Sequence, residues 1–474
     1  MRTPEKRVRT YISTLVKAGM LIFICTTLGI ATQHVLAASG DWPTYLSGNG
    51  RSGFNGTETT INPGSAPNLK LNWSFNAGGS ISSQPVEANG QIYWGSWDGL
   101  EHATNLDGSQ AWTINLGQTI NPKCHPSLAG VASTATVASI QINGVPTSVV
   151  FVGGGKATFY ALNASDGSII WSTQLDSSPN YFIWSSPAFY NGSLYIGLSS
   201  FGDCPLVQGK LIQMDATSGI IQQTFTTVPT GCLGGGVWGS PAIDESSGTL
   251  YFGTGNPNTK CTNPGPYTYA LIELNTSDLS LVGSWQIPPT EISKDGDFGS
   301  TPTLFQATIG NTVYDMVGIA NKNGLYYAFD RANISNGPVW KVRVAKAGSC
   351  PQCGGGSISP SAWDGTTLYV AGGSSVIKKI SCKGSLRALN PATGAFIWKH
   401  CMNDGPVLGA VSAVPGVVVV GEGPDLVLVA ANTGNTLFTY SDINTGSTFY
   451  GAASISNGVL YVGNMDGILY AFGI

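Results

Sequence analysis

Four short segments hold the residue types most able to do chemistry. Gly234-Gly-Gly-Val-Trp238 places an indole after three glycines, and Leu250-Tyr-Phe-Gly-Thr-Gly-Asn256-Pro257 ends an apolar run on an amide. Lys294-Asp295-Gly-Asp297-Phe-Gly-Ser-Thr-Pro302 carries two carboxylates, and Asn321-Lys322-Asn323-Gly324 carries a cation in a turn. Carboxylate and amide oxygens are the donors a hard cation takes. A carboxylate can also accept a hydroxyl proton, and an ammonium group can stabilise developing negative charge. Each residue also has a plain structural use. Asp and Asn cap turns, a lysine in a β-turn is usually solvated, and a recurring tryptophan packs neighbouring units. Other chemistries are poorly served. His102, His125 and His400 lie outside any nucleophile motif, which argues against a Ser–His–Asp hydrolase. The chain contains no CxxCH, so no covalently attached c-type haem is expected.

The N-terminus sets the compartment. Arg2, Lys6, Arg7 and Arg9 precede an apolar run over 18–31, and Val35-Leu36-Ala37 offers small residues for cleavage. That order predicts a secretory signal peptide over 1–37, hence an extracytoplasmic protein (secreted, periplasmic or at the cell surface) with no stable membrane span after cleavage. Cys25 and His34 fall within the leader. Eight cysteines remain: Cys124, Cys204, Cys232, Cys261, Cys350, Cys353, Cys382 and Cys401. An even number in an exported chain implies disulfides, and proximity in sequence suggests Cys350–Cys353 and Cys382–Cys401. A zinc site is the weaker reading, because Cys350-Pro-Gln-Cys353 has no second CxxC. Charged residues make up 10% of the chain, 63 residues are glycine, and the net charge is −4. This composition suits a turn-rich β protein and gives no electrostatic footprint for nucleic acid.

Internal repetition organises the rest. Asn191-Gly-Ser-Leu-Tyr195-Ile-Gly leads to Gly209-Lys-Leu-Ile-Gln-Met-Asp215 and Thr217-Ser-Gly219; Gly365-Thr-Thr-Leu-Tyr369 leads to Ala388-Leu-Asn390, Ala392-Thr-Gly394 and Trp398. Strand, turn, strand ending in Asp or Asn, glycine turn and Trp-bearing strand make one antiparallel meander. Eight such strands recur, at 92–93, 150–151, 194–195, 250–251, 316–317, 368–369, 418–419 and 460–461. An all-β, eight-bladed β-propeller of four-stranded antiparallel blades follows, as one domain over 38–474. The last unit stops before its Trp-bearing strand, and Leu69-Lys-Leu-Asn-Trp73-Ser-Phe75 supplies it. Pairing that N-terminal strand into the C-terminal blade closes the ring and removes the exposed edges. Trp112, Trp171, Trp285, Trp340 and Trp398 are then packing residues between blades.

The pattern from Ala161-Leu-Asn163 to Trp171, repeated from Ala388-Leu-Asn390 to Trp398, resembles the blade signature of the pyrroloquinoline-quinone (PQQ) repeat propellers. Asp41-Trp42-Pro43-Thr44-Tyr45 also looks like the opening of many members. The resemblance covers essentially the whole mature chain. Its chemistry-bearing segments are most similar to polyvinyl-alcohol dehydrogenase-like quinoproteins. It implies a PQQ- and calcium-dependent alcohol dehydrogenase acting on a small or polymeric alcohol and passing electrons to a separate acceptor, such as an external cytochrome c. Within it, Trp238 would form the floor under PQQ, and Asn256 would bind Ca²⁺. Asp297 would be both calcium ligand and catalytic base, with Asp295 as the alternative. Lys322 would reach the quinone oxygens. This chain departs from the pattern at the remaining metal ligand. The family's Glu is absent from Ser200-Phe-Gly-Asp203-Cys204, where Asp203 is the only carboxylate. It also lacks the adjacent-cysteine disulfide, and Cys124 stands alone ahead of Gly130-Val-Ala-Ser-Thr134. A second branch of the family uses the same repeat without cofactor in cell-envelope assembly, and it implies a binding module instead.

Overall fold

The computed structural model describes residues 40–443 and 446–474, all within one compact unit. The predicted signal peptide lies outside the described residues. Eight four-stranded antiparallel blades follow one another along the chain, and blade 3 is extended by the short strand Tyr181–Phe182. Blade 1 spans 86–115, blade 2 136–174, blade 3 188–226 and blade 4 242–286. Blade 5 spans 303–343, blade 6 362–402 and blade 7 412–441. Blade 8 takes three strands from 454–473 and its outermost strand from Lys70–Asn76, which pairs with Ile468–Gly473. The ring therefore closes as the repeat pattern predicts. Each of the eight recurrent apolar pairs falls in the second strand of its blade. These strands are buried on both faces, because one face packs on the preceding blade and the other on the next.

The seams between blades follow a common plan. Trp73, Trp112, Trp171, Trp340 and Trp398 each lie opposite an alanine of the neighbouring strand. Each indole donates from Nε1 to a turn carbonyl of the next blade, at 2.8–3.0 Å. Its ring covers the glycine of that turn so closely that a Cβ there would lie 2.5–2.7 Å away, as at Gly219 beneath Trp171. Trp285 packs on Tyr327 and Phe329 of blade 5.

A second closure comes from residues 42–55, which follow the innermost strands of the blades in order. Trp42 exchanges two backbone hydrogen bonds with Glu87, and the Pro43 carbonyl accepts from Val137. Asn49 donates from Nδ2 to Phe189 and accepts at its carbonyl from Ile243. The carbonyls of Gly50, Ser52 and Gly53 accept from Leu304, Trp363 and Ala413, and Asn55 donates to Ile455. All eight blades are held by one strap. Arg51 within it is fully buried and donates to the carbonyls of Tyr45, Pro187 and Pro241. All eight cysteines of 40–474 pair, as Cys124–Cys204, Cys232–Cys261, Cys350–Cys353 and Cys382–Cys401.

Candidate active site

Above the strap the blades surround a cavity of about 660 Å³, within the range of small-molecule sites. Its lower wall is built from the lead-ins to the innermost strands, where blades 1–5 place a Ser or Thr, often before proline, and blades 6–8 place apolar residues such as Ile358, Ala410 and Ala452. These hydroxyls link neighbouring blades: Gln84 N–H donates to Thr134 Oγ1, Thr134 N–H to Ser186 Oγ, Ser186 N–H to Ser240 Oγ, and Ser240 N–H to Thr301 Oγ1, at 2.8–3.0 Å. The repeated Ser/Thr-Pro dipeptide is a sequence signal for this wall. Tyr45, from the strap, lies at the floor.

All five residues singled out from sequence line this cavity: Asp203, Trp238, Asn256, Asp297 and Lys322. Trp238 packs closely on Gly299, where a Cβ would fall 2.0 Å from its Cη2. The Lys322 ammonium lies 5.1 Å from the Trp238 ring centroid, a cation–π distance. Asp297 is only 4% exposed. Its Oδ1 accepts from the Asn256 N–H at 2.6 Å and its Oδ2 pairs with Lys322 Nζ at 2.9 Å. Lys322 also pairs with Asp295 at 3.0 Å, and its own N–H donates to the Asp297 carbonyl at 3.1 Å. Asp297 and Asp295 thus share one ammonium group, and Asn256 meets Asp297 through its backbone. The Asn256 side chain donates to the Pro257 carbonyl at 3.4 Å.

Burial pushes the Asp297 carboxyl up to about 6. Lys322 works against that rise, while Asp295 and Asp203 add to it. Lys322 stays protonated because its two acidic neighbours outweigh its burial. Asp203 accepts from the Ser200 hydroxyl and adjoins the Cys124–Cys204 bridge, at the wall formed by Trp97, Trp184 and Phe201. Sequence reasoning missed this aromatic wall, because its members come from three separate loops. It also missed Tyr450, a half-buried cavity residue near Lys322.

A PQQ-repeat family model described as outer membrane protein assembly factor BamB matches residues 98–264 and 322–474. The chain belongs to this PQQ-repeat propeller family. Among curated relatives, a polyvinylalcohol dehydrogenase of Pseudomonas sp. is 26% identical over 76% of the chain, and one of Sphingopyxis sp. is 24% identical over 91%. The chain spans 62% and 71% of their lengths, so it is shorter than both. The quinohemoprotein alcohol dehydrogenase of Comamonas testosteroni shares the fold, with a TM-score of 0.74 at 19% identity, covering 92% of this chain and 81% of that one. BamB of Moraxella catarrhalis superposes less well, with a TM-score of 0.54 at 14% identity over 86% of this chain and 98% of that one.

The residues present fit a flat, multiply charged quinone. An indole forms the floor, an ammonium group stands over it, and a hydroxyl-rich wall surrounds both. For a cation, the cavity supplies the Asp297 carboxylate and the Asn256 amide. No cluster of three or more His, Cys, Asp or Glu side chains suited to a metal occurs among the described residues. A calcium ion here would need oxygens of the cofactor to complete its shell.

Proposed function

We propose that this protein is a PQQ- and calcium-dependent alcohol dehydrogenase working outside the cytoplasm. The observation that carries the reading is the convergence of Asp297, Lys322 and Asn256 over Trp238 in one cavity. The similarity to polyvinylalcohol dehydrogenases supports it. When bound, PQQ would supply a two-electron acceptor for the alcohol's oxidation and calcium would supply Lewis-acid assistance. Trp238 provides the floor, and Asn256, Asp297 and Asp203 the oxygens offered to the metal. Asp297 Oδ2 takes the hydroxyl proton, and Lys322 stabilises the negative charge that develops beside it. The Trp97–Trp184 wall accepts the hydrocarbon part of a small or polymeric alcohol. Electrons leave to a separate acceptor, for which an external cytochrome c suits the compartment.

Calorimetric titration of PQQ into the metal-stripped mature protein, with and without Ca²⁺, tests this reading. One-to-one, calcium-dependent binding that Asp297→Asn abolishes is expected. An absence of binding at any calcium level would overturn it and leave the cofactor-free envelope module as the function to pursue.

A further inference from the structure

Three seams depart from the tryptophan plan: blade 4 carries Gly283 opposite Glu273, blade 7 carries Phe438 opposite Leu428, and blade 3 replaces both members of the pair with amides. In blade 3 the position opposite the third strand, where five blades carry tryptophan, is Gln223. Its partner, alanine in those five blades, is Gln213. On blade 4 the turn that receives the indole carries Leu279 at the position of the usual glycine, in the left-handed conformation at φ 56°. The three changes belong together. Without an indole to stack, the turn no longer needs a bare Cα, and the longer amide of Gln213 reaches across the seam. Its Nε2 donates to the Thr276 carbonyl at 3.0 Å, the same turn carbonyl that takes the indole N–H elsewhere.

The result is a cleft of about 450 Å³ between blades 3 and 4. It opens by the turns at 190–193 and 276–277, at the end of blade 3 away from the cavity-lining residues Ser186 and Ser199–Phe201. No charged side chain lines it. Gln222 and Gln223 are exposed at its edge, and the Ser193 hydroxyl donates to Gln222 at 3.2 Å. Gln213 is only 5% exposed, yet its Oε1 has no hydrogen-bond partner. Leaving a buried amide oxygen unpaired costs about 1–3 kcal/mol, and a rotation of the Gln213 side chain toward the cleft would let a donor on a ligand relieve that cost.

We propose that this vacated tryptophan socket binds a neutral polyhydroxylated ligand. An ion would find no opposite charge there, and a hydrocarbon would leave the amides unpaired. Amides that both donate and accept, set beside the Tyr190 and Tyr195 rings, match closely spaced hydroxyls on a carbon framework. Such hydroxyls occur in a glycan and in an aliphatic polyol alike. The inference does not depend on the cavity being an active site, because the two places share no lining residue.

Calorimetry on the mature protein with maltoheptaose in one arm and a vinyl-alcohol oligomer in the other tests it. Saturable binding of at least one probe is expected, and the arm that binds identifies the source. Gln223→Trp, a change at an exposed position, fills the cleft and should weaken that binding about tenfold or more, while PQQ titration stays unchanged. Gln213→Met removes the unpaired amide at similar volume and should weaken binding in the same direction. If neither probe binds saturably, or if Gln223→Trp binds as the wild type does, the socket is not a ligand site.

Discussion

At the scale of single residues, the candidate site depends on close approach rather than on any one charge. Gly299 is the clearest case, since its missing side chain is what lets the six-membered ring of Trp238 approach the loop before blade 5. Gly299→Ala should tilt or lift the indole. We expect PQQ affinity to fall by about tenfold or more, equivalent to roughly 1.4 kcal/mol, with the melting temperature changing by only a few degrees. Unchanged affinity would mean that the indole is not the floor.

A second residue-scale case concerns stability. Glu422 is 4% exposed, and burial pushes its carboxyl from the ordinary 4.5 up to about 7, with Asp404 and Asp425 adding to the rise. The fold therefore favours the neutral form. That contribution is complete below pH 4.5 and is lost as the pH rises through about 7. Glu422→Gln retains an acceptor for the Asp404 N–H, which Glu422 binds at 2.7 Å, and removes the titration. Urea unfolding should show the two proteins similar near pH 4.5 and the variant more stable at pH 8, by on the order of 2–3 kcal/mol. Parallel pH profiles would mean that Glu422 is ionised in the fold.

At the scale of elements, the blade is a unit that cannot bury its own faces, so the seams carry the packing. Trp340, 8% exposed, covers Gly394 of the next blade and donates to the Pro391 carbonyl. Trp340→Ala should cost about 3–5 kcal/mol in chemical unfolding, and a loss below 1 kcal/mol would contradict its place in the seam. This level of structure was legible in the sequence. The second strands, the glycine turns and the indoles recur at fixed order, and Leu69–Phe75 was recognisable as the missing strand because the last repeat lacked one. The two short-range disulfides were legible for the same local reason. Cys124–Cys204 and Cys232–Cys261 were not, since sequence separations of 80 and 29 leave many pairings equivalent. The cavity-lining residues Asp203, Trp238, Asn256, Asp297 and Lys322 were singled out through family motifs, but their mutual contacts were not legible. Nothing in the spacing says that Lys322 bridges both Asp295 and Asp297.

At the scale of the whole molecule, the strap at 42–55 was invisible to sequence reasoning because it has no periodicity. Its hydrogen bonds go to strands up to 400 residues away, as from Asn55 to Ile455. Its importance follows from topology. A propeller ring that is closed only by the Lys70–Asn76 strand can open at one seam, whereas a strap bound to every blade resists opening at all of them. Arg51 strengthens it with three bonds to backbone carbonyls at a fully buried position, where unpaired carbonyls would be costly. The strap therefore needs no covalent link to the ring once folded. A protease site inserted after the exposed Gly64 separates the strap from the Lys70–Asn76 strand without disturbing either. After cleavage the N-terminal piece should co-elute with the ring in gel filtration, and the cut protein should still melt in a single transition. Release of the piece with the ring intact would place closure in the Lys70–Asn76 strand alone. Release accompanied by a broad, multistep melt would show that the strap is what makes eight blades unfold as one.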